Sequence, residues 1–367
     1  MMRLNHVAKP DQGLLPTRAL VIALLLGAAL VRPAGAQVLQ PLDLVKRAVE
    51  AVGGIDALRS LKRIAIKGEV RHWEPEESYV AGGPPVFTDR SIFAVAWDLE
   101  KGMARIDWDR AIQFPAVTHD IYSEIVTPGL GYADVAGTDL AITQSDLPPK
   151  GKQAMPGIRV AAHLRELERS SPILLLKAID APQRLSAVPD QSLGGGAFQG
   201  GFGGVFPAVS LPAVAFANGG TTFTILFDRT THLPAVIRTL DDDATLGDSN
   251  YDLILSDWRP LGRVQVARSL TYTLDNIRIA KIEYSDVIAN PLIPEETFIV
   301  PDAVKAAAKP PATGEVPYQW VLRRLNSTAS PTATRSISCP AGVSSSSRCR
   351  QMCSRWSAAH TTASSLR

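Results

Sequence analysis

The sequence predicts an α+β fold in which a curved antiparallel β-sheet packs on helices. Three observations predict it. Residues 63–127 and 221–289 carry apolar–polar alternation rich in β-branched residues, the pattern of half-buried strands. Turn signals such as "RPLG" and "DN" separate the later runs with no helical stretch between them, so neighbours pair antiparallel. Helical periods stand before and between the two strand-rich regions. With 46% apolar and 20% charged residues, a chain of 367 residues can fill the core of one large or two ordinary domains.

Residues 1–36 read as a signal peptide. Arg18 precedes the apolar run Ala19–Val31, about 13 residues and short for a membrane span. Ala34 and Ala36 follow in A-x-A spacing. Cleavage after Ala36 would leave Gln37 first, place the body in the periplasm or outside the cell, and leave no stable membrane span.

Residues 37–310 form the α+β domain. In Pro41–Gly54 the stripe Leu44, Val45, Ala48, Val49 and Val52 makes a helix that Gly53-Gly54 ends. Ile55–Leu61 is a second, short helix. Strands follow at Arg63–Trp73, Ser91–Asp98, Met103–Asp109 and Asp120–Thr127. Pro156–Ser170 is helical, and Ser171-Pro172 reads as the cap and first residue of another helix. Leu193–Gly220 reads as a flexible, Gly-rich insert carrying Phe198, Phe202 and Phe206. Five strands close the domain: Thr221–Asp228, Pro234–Leu240, Tyr251–Trp258, Val264–Leu274 and Ile277–Ala289. Residues 311–325 read as a linker helix.

Residues 326–367 hold 12 Ser, 5 Thr, 5 Arg and no acid, the composition of a disordered tail. Residues 1–36 carry +3 and this tail +5 of a net +2, which leaves −6 for residues 37–325. A mildly acidic body does not fit nucleic acid. The tail also reads as an out-of-frame product. Taken from the third base of each codon, Trp356–Ser364 permits Val-Gly-Gly-Ser-His-Asn-Ser-Leu, and Ser344–Ser347 become an apolar run.

Residue chemistry alone offers no active site. Cys339, Cys349 and Cys353 all lie in the tail, and with His360 they make a poor zinc pattern. His6, His72, His119, His163, His232 and His360 are dispersed. His72, His119 and His232 read as solvated or hydrogen-bonded structural residues at strand or turn edges. His163 reads as part of an exposed helix face with Arg159, Glu166 and Arg169. Asp107 and Asp109 flank Trp108 on one strand face, suited in principle to acid–base work but more simply a wet sheet face. Asp241-Asp242-Asp243 reads as a solvated turn. The Gly194–Gly204 loop matches no nucleotide motif, and the chain contains neither G-x-S-x-G nor S-x-x-K.

Ala51–Val70, Ser170–Ala178, Phe227–Ile237, Leu253–Leu270 and Ala289–Pro301 resemble the N-terminal domain that precedes the zinc module in some exported bacterial metallo-β-lactamase-fold hydrolases. The architecture this implies is similar to the lipoprotein-carrier (LolA/LolB-like) half-barrel. The permitted Val-Gly-Gly-Ser-His-Asn resembles the opening strand of the zinc module. The zinc motif of that family, H-x-H-x-D-H, is absent from this sequence. The resemblance therefore implies a non-catalytic accessory domain, truncated or frameshifted before the zinc domain. No catalytic, cofactor or metal residue is assigned, and zinc is expected only in the missing domain. The alternative is a periplasmic carrier-type protein that holds an acyl chain or lipoprotein in the half-barrel; a third option is a scaffold for partner proteins. Sequencing the coding DNA past Leu325 tests the first reading: H-x-H-x-D-H is expected in another frame, and early stops in both other frames would overturn it.

Overall fold

The computed structural model describes residues 40–313, apart from 75–76, 81–82, 115–116, 141–150, 195–207, 244–246 and 312. The expected signal peptide and tail, and all of the expected linker helix 311–325 except residues 311 and 313, lie outside the described residues. Helix α1 (Pro41–Ala51) buries Val45, Ala48 and Val49. It stops because Gly53 and Gly54 adopt φ of 123° and 91°. Gly53 is needed for a second reason: a Cβ there would lie 2.1 Å from the Arg263 carbonyl oxygen. This close approach lets the Gln265 amide donate to the Val52 carbonyl at 2.8 Å. Helix α2 (Ile55–Ser60) follows.

The first meander runs β1 (Arg63–Glu74), β2 (Val86–Asp98), β3 (Met103–Ile112), β4 (Thr118–Thr127), β5 (Leu130–Leu140) and β6 (Gly151–Ala154). The sequence pattern does not reveal β5 and β6. Gly131, Gly137, Asp134 and Asp139 dilute the strand signal there, and pairing with β4 overrides it. Helices α3 (Gly157–Ser170) and α4 (Leu174–Asp180) come next. Ser171 and Pro172 precede α4 rather than begin it. The Leu174 amide bonds the Ser171 carbonyl in a turn, and Ser171 Oγ accepts from the Ile173 amide at 3.3 Å.

The second meander runs β7 (Leu185–Ala187), β10 (Ala213–Asn218), β11 (Thr221–Phe227), β12 (Pro234–Asp243), β13 (Gly247–Leu261), β14 (Val264–Leu274) and β15 (Ile277–Ala289). Between β7 and β10, the strands β8 (Gln191–Leu193) and β9 (Val209–Leu211) pair only with each other. The expectation of a flexible insert over Leu193–Gly220 is therefore wrong at its C-terminal end. Val214 and Phe216 of β10 are fully buried, and Gly219-Gly220, both at positive φ, make a two-residue hairpin to β11. Phe198, Phe202 and Phe206 lie outside the described residues. Asp275-Asn276, also at positive φ, joins β14 to β15 as the "DN" signal predicts.

Every pair is antiparallel, in the order β6-β5-β4-β3-β2-β1-β15-β14-β13-β12-β11-β10-β7. Pairing of β1 with β15 fuses the two meanders into one 13-stranded sheet whose edges, β6 and β7, do not meet. The fold is thus α+β, an unclosed curved sheet over helices. One core packs α1, α2 and α4 on β10–β14 through Val45, Leu58, Leu174, Phe216, Phe223 and Leu253. A second lies over β1, β2 and β15 through Ile64, Ile66, Phe93 and Trp97. After β15, Glu295–Phe298 forms one 3₁₀ turn and Asp302–Ala307 a short helix, α5, which the sequence reading does not foresee.

Gly53→Ala is expected to cost about 2 kcal/mol or more in urea unfolding, from positive φ plus the collision with Arg263. Gly129→Ala, where an added Cβ meets nothing within 4 Å, is expected to be neutral within about 0.5 kcal/mol.

Candidate functional site

The concave side of the sheet is built by strand alternation. Successive β1 residues point to opposite faces, so Ile66, Gly68, Val70 and His72 turn inward while Lys67 and Arg71 face solvent. Register then aligns one transverse row over five strands: Tyr284, Gly68, Phe93, Trp108 and Tyr122. Neighbouring rings touch along it. Phe93 and Tyr284 centroids lie 6.2 Å apart across the glycine, Phe93 and Trp108 5.7 Å, and Trp108 and Tyr122 6.4 Å. Gly68 is required here. A Cβ would stand 2.8 Å from Phe93 Cζ and 2.6 Å from the Glu283 carbonyl oxygen.

Helix α3 crosses above this row. Between them lies a partly open cavity of about 180 Å³. Its walls are mostly apolar and aromatic, with Trp97, Trp108, Tyr272 and Ile282 on the sheet side and His163, Glu166 and Leu167 from α3. A larger groove of about 1240 Å³ receives Leu164, Arg165 and Glu168 of α3. Its ionic groups largely neutralise one another: Arg165 pairs with Asp241, and Lys177 with Glu168.

Three buried polar networks surround the cavity. In the first, Asp89 accepts from His72 Nδ1 (2.9 Å), Ser91 Oγ (2.7 Å) and the fully buried Arg110 (2.6 Å). Burial pushes the Asp89 carboxyl up, but His72 and Arg110 outweigh it and hold it well below the usual range. Burial pushes the Tyr122 hydroxyl up to about 12, with Arg110 acting against it. In the second, Glu124 of β4 is completely buried beneath α3. It pairs with Arg159, accepts from Trp108 Nε1 at 2.9 Å and lies 3.3 Å from His163 Nε2. Burial raises its carboxyl, and Arg159 and His163 more than reverse this. In the third, buried Arg169 donates to the Ile237 and Tyr251 carbonyls at 3.1 and 3.0 Å, to Thr239 Oγ1 at 2.6 Å and to Glu166 Oε1 at 3.0 Å.

These arrangements position groups rather than activate them. Ser91 and His72 both bond Asp89 directly, so His72 is not placed as a base on Ser91; a Ser-His-Asp relay needs His between the other two. Glu124 and Asp89 stay ionised far below neutral pH, which disqualifies them as general acids. Among the described residues no group of three or more His, Cys, Asp or Glu is placed to hold a metal ion.

The candidates from sequence separate clearly. Asp107 and Asp109 lie on the outer, wet face of β3, where Asp109 bonds exposed His119 at 2.6 Å. His232 closes a turn at φ 59°, its amide bonded to the Asp228 carbonyl at 3.0 Å. His163 is not exposed: it is buried between α3 and β4, because Glu124 opposite neutralises that charged helix face. Asp241 is not in a solvated turn: it is a buried β12 residue paired with Arg165, and burial pushes its carboxyl up to about 6 against the pull of that arginine. The Gly194 amide donates to Asn276 Oδ1 at 3.0 Å, while the rest of its loop to Gly204, His6, His360 and the three cysteines lie outside the described residues. Sequence reasoning missed Glu124 and Asp89. Their signal is phase: each is a charge at an inward position, as in Tyr122-Ser123-Glu124-Ile125-Val126.

No family model and no curated protein matches the sequence. Several solved structures are similar. A DUF1329 family protein from Desulfovibrio piger aligns at 7% identity and TM-score 0.36, over 71% of this chain and 98% of its own. A LolA superfamily protein from Nitrosomonas europaea aligns at 8% and 0.37, with the same 71% and 98% coverage. A beta-barrel-like protein of domain of unknown function DUF1849 from Brucella abortus aligns at 9% and 0.21, over 63% and 99%. The architecture stated above rests on the strand order of this chain.

Removing one partner of the α3–β4 network is expected to be severe. Glu124→Ala leaves Arg159 buried without its carboxylate and should cost about 3–5 kcal/mol in urea unfolding. Acid should act the same way. Unfolded, these carboxyls titrate near 3.8 and 4.5; folded, they titrate lower. The unfolded chain thus binds more protons in that window, so the stability they contribute is complete above it and is lost as pH falls below about 4. The urea midpoint should drop steeply there in the native protein and less steeply in Glu124→Gln.

Proposed function

We propose that this is an exported, carrier-type binding protein, periplasmic or secreted, that holds an apolar chain against the aromatic row of its concave sheet. The acyl chain of a lipid or lipoprotein is the ligand of this class that fits an exported half-barrel. One observation carries the reading. The cavity under α3 is walled by aromatic and aliphatic side chains, yet it stays hollow between well-packed cores. A folded protein does not ordinarily leave such a space unless something fills it.

Size narrows the ligand. A dry cavity of about 150 Å³ takes a benzene-sized molecule. A cavity of about 180 Å³ accordingly takes a ring or a short alkyl segment, and the rest of a longer chain passes through its open side. Each buried methylene contributes about 0.8 kcal/mol, so a few of them suffice for useful, reversible binding. Reversibility is what a carrier needs. Neither the fold nor the comparisons support the accessory role beside a metallo-β-lactamase-fold module, and the truncation it assumes falls past Leu325, outside the described residues.

Native mass spectrometry of the full exported chain is expected to show a co-purified ligand of acyl-chain mass. Ile282→Trp, which fills the cavity from β15, should abolish that adduct while the protein still unfolds cooperatively. A native protein that purifies empty and also takes up no added n-octanol would sink the reading.

A further inference from the structure

We propose that the buried end of the ligand is a neutral group that both donates and accepts a hydrogen bond, a hydroxyl or a secondary amide, and that it sits over Ala280 between His72 and Tyr272. This inference rests on the apolar-chain reading above and names the polar half of the same ligand.

Register brings the two polar side chains to one place. His72 of β1 and Tyr272 of β14 both pair with Ala280 of β15, one from each side. Two strand spacings of about 4.8 Å each separate them. All three residues line the cavity, and the small Ala280 leaves a gap between an imidazole and a phenol. The neighbouring row, Val70, Ile282 and Leu270, is aliphatic and receives the chain. Both polar side chains keep an atom within reach. His72 binds Asp89 through Nδ1 at 2.9 Å, which leaves Nε2. Tyr272 is half-buried, and its hydroxyl bonds none of the described residues. Among the described residues, the polar atoms both unpartnered and sealed from solvent include His163 Nε2 but neither His72 Nε2 nor the Tyr272 hydroxyl, so these two open onto the hollow. Trp108 Nε1, Ser170 Oγ and the Glu166 carboxylate, also beside the cavity, are taken up by Glu124, the Glu166 carbonyl and Arg169. Tyr284 stands in the Gly68 row, four residues and about 13 Å along β1 from His72, too far to share the same polar group.

The two atoms ask for complementary chemistry. Burial pushes the Asp89 carboxyl up, but His72 and Arg110 hold it well below the usual range, so it is ionised and can only accept. The His72 nitrogen facing it therefore carries the proton, and the neutral ring presents the Nε2 lone pair to the cavity. Burial raises the Tyr272 hydroxyl well above its ordinary range, so it stays protonated and donates. An acceptor and a donor across one gap are matched by a group that carries one of each. An ether or ester has no donor and leaves the Nε2 lone pair unmatched. A carboxylate brings a charge into a poorly solvated space whose described lining holds no Lys or Arg.

The test compares n-octanol, its methyl ether and octanoate on the full-length protein at pH 8, by titration calorimetry. Octanol is expected to bind about tenfold or more tightly than either, the cost of one unmatched buried group. Tyr272→Phe removes a hydroxyl that bonds none of the described residues, so the variant should fold as the native protein does and bind octanol about tenfold more weakly. In nitrogen NMR spectra of the native protein, octanol should shift the His72 Nε2 resonance. The ether or octanoate binding the native protein as tightly as octanol would overturn the inference while leaving the apolar cavity intact; that comparison needs no variant to fold. Octanol affinity unchanged in Tyr272→Phe, or a His72 resonance unmoved by saturating octanol, also overturns it. Binding of none of the three removes both this inference and the reading on which it rests.

Discussion

A charged helix laid across an apolar trough is the constraint on which this structure depends. The α3 sequence GIRVAAHLRELERS holds four arginines or glutamates in its last six residues, yet much of the helix is covered. Burial of that kind survives only if each charge meets a partner. Arg159, near its start, binds Glu124 on β4 in the first meander. Arg169, near its end, binds carbonyls and Thr239 on β12 and β13 in the second. At 1.5 Å per residue, 14 residues span about 21 Å. The helix is therefore a crossbar whose two ends set the separation of the two halves of the sheet.

The cavity follows from that crossbar. Polar anchors hold α3 at a fixed height, so the helix does not settle onto the sheet as an apolar helix would. Beneath it Tyr284, Phe93 and Trp108 of the transverse row supply an aromatic floor. Gly68 lets the rings on either side of it meet at 6.2 Å. Any larger residue would push Phe93 and the β15 backbone aside. The hollow is thus a joint product of a helix held up by charge and a floor flattened by one missing side chain.

The buried networks have a consistent meaning in this frame. Asp89 and Glu124 are held ionised by the arginines and histidines around them, so they lock strands and helix in place rather than exchange protons near neutrality. Glu166, on the cavity side of α3, is paired with Arg169 through Oε1. A mostly apolar hollow bordered by a few polar groups is the usual economy of a small-molecule cavity.

Much of the local structure was determined by sequence alone. Period-two alternation located nine of the strand segments or their cores, "DN" set one hairpin, and Gly53-Gly54 ended α1, because each signal acts within a few residues. Strands β5 and β6 escaped, since their glycines and the aspartates of β5 say loop while pairing of β5 with β4 and of β6 with β5 says strand. The site was not legible. Tyr284 and Gly68 are 216 positions apart, yet register makes them neighbours. His163 looks like a surface residue until Glu124 is placed opposite it. Charge next to charge in sequence indicates solvent; only the tertiary structure, by bringing an opposite charge from another element, can make the same residues a buried support and leave a cavity beside them.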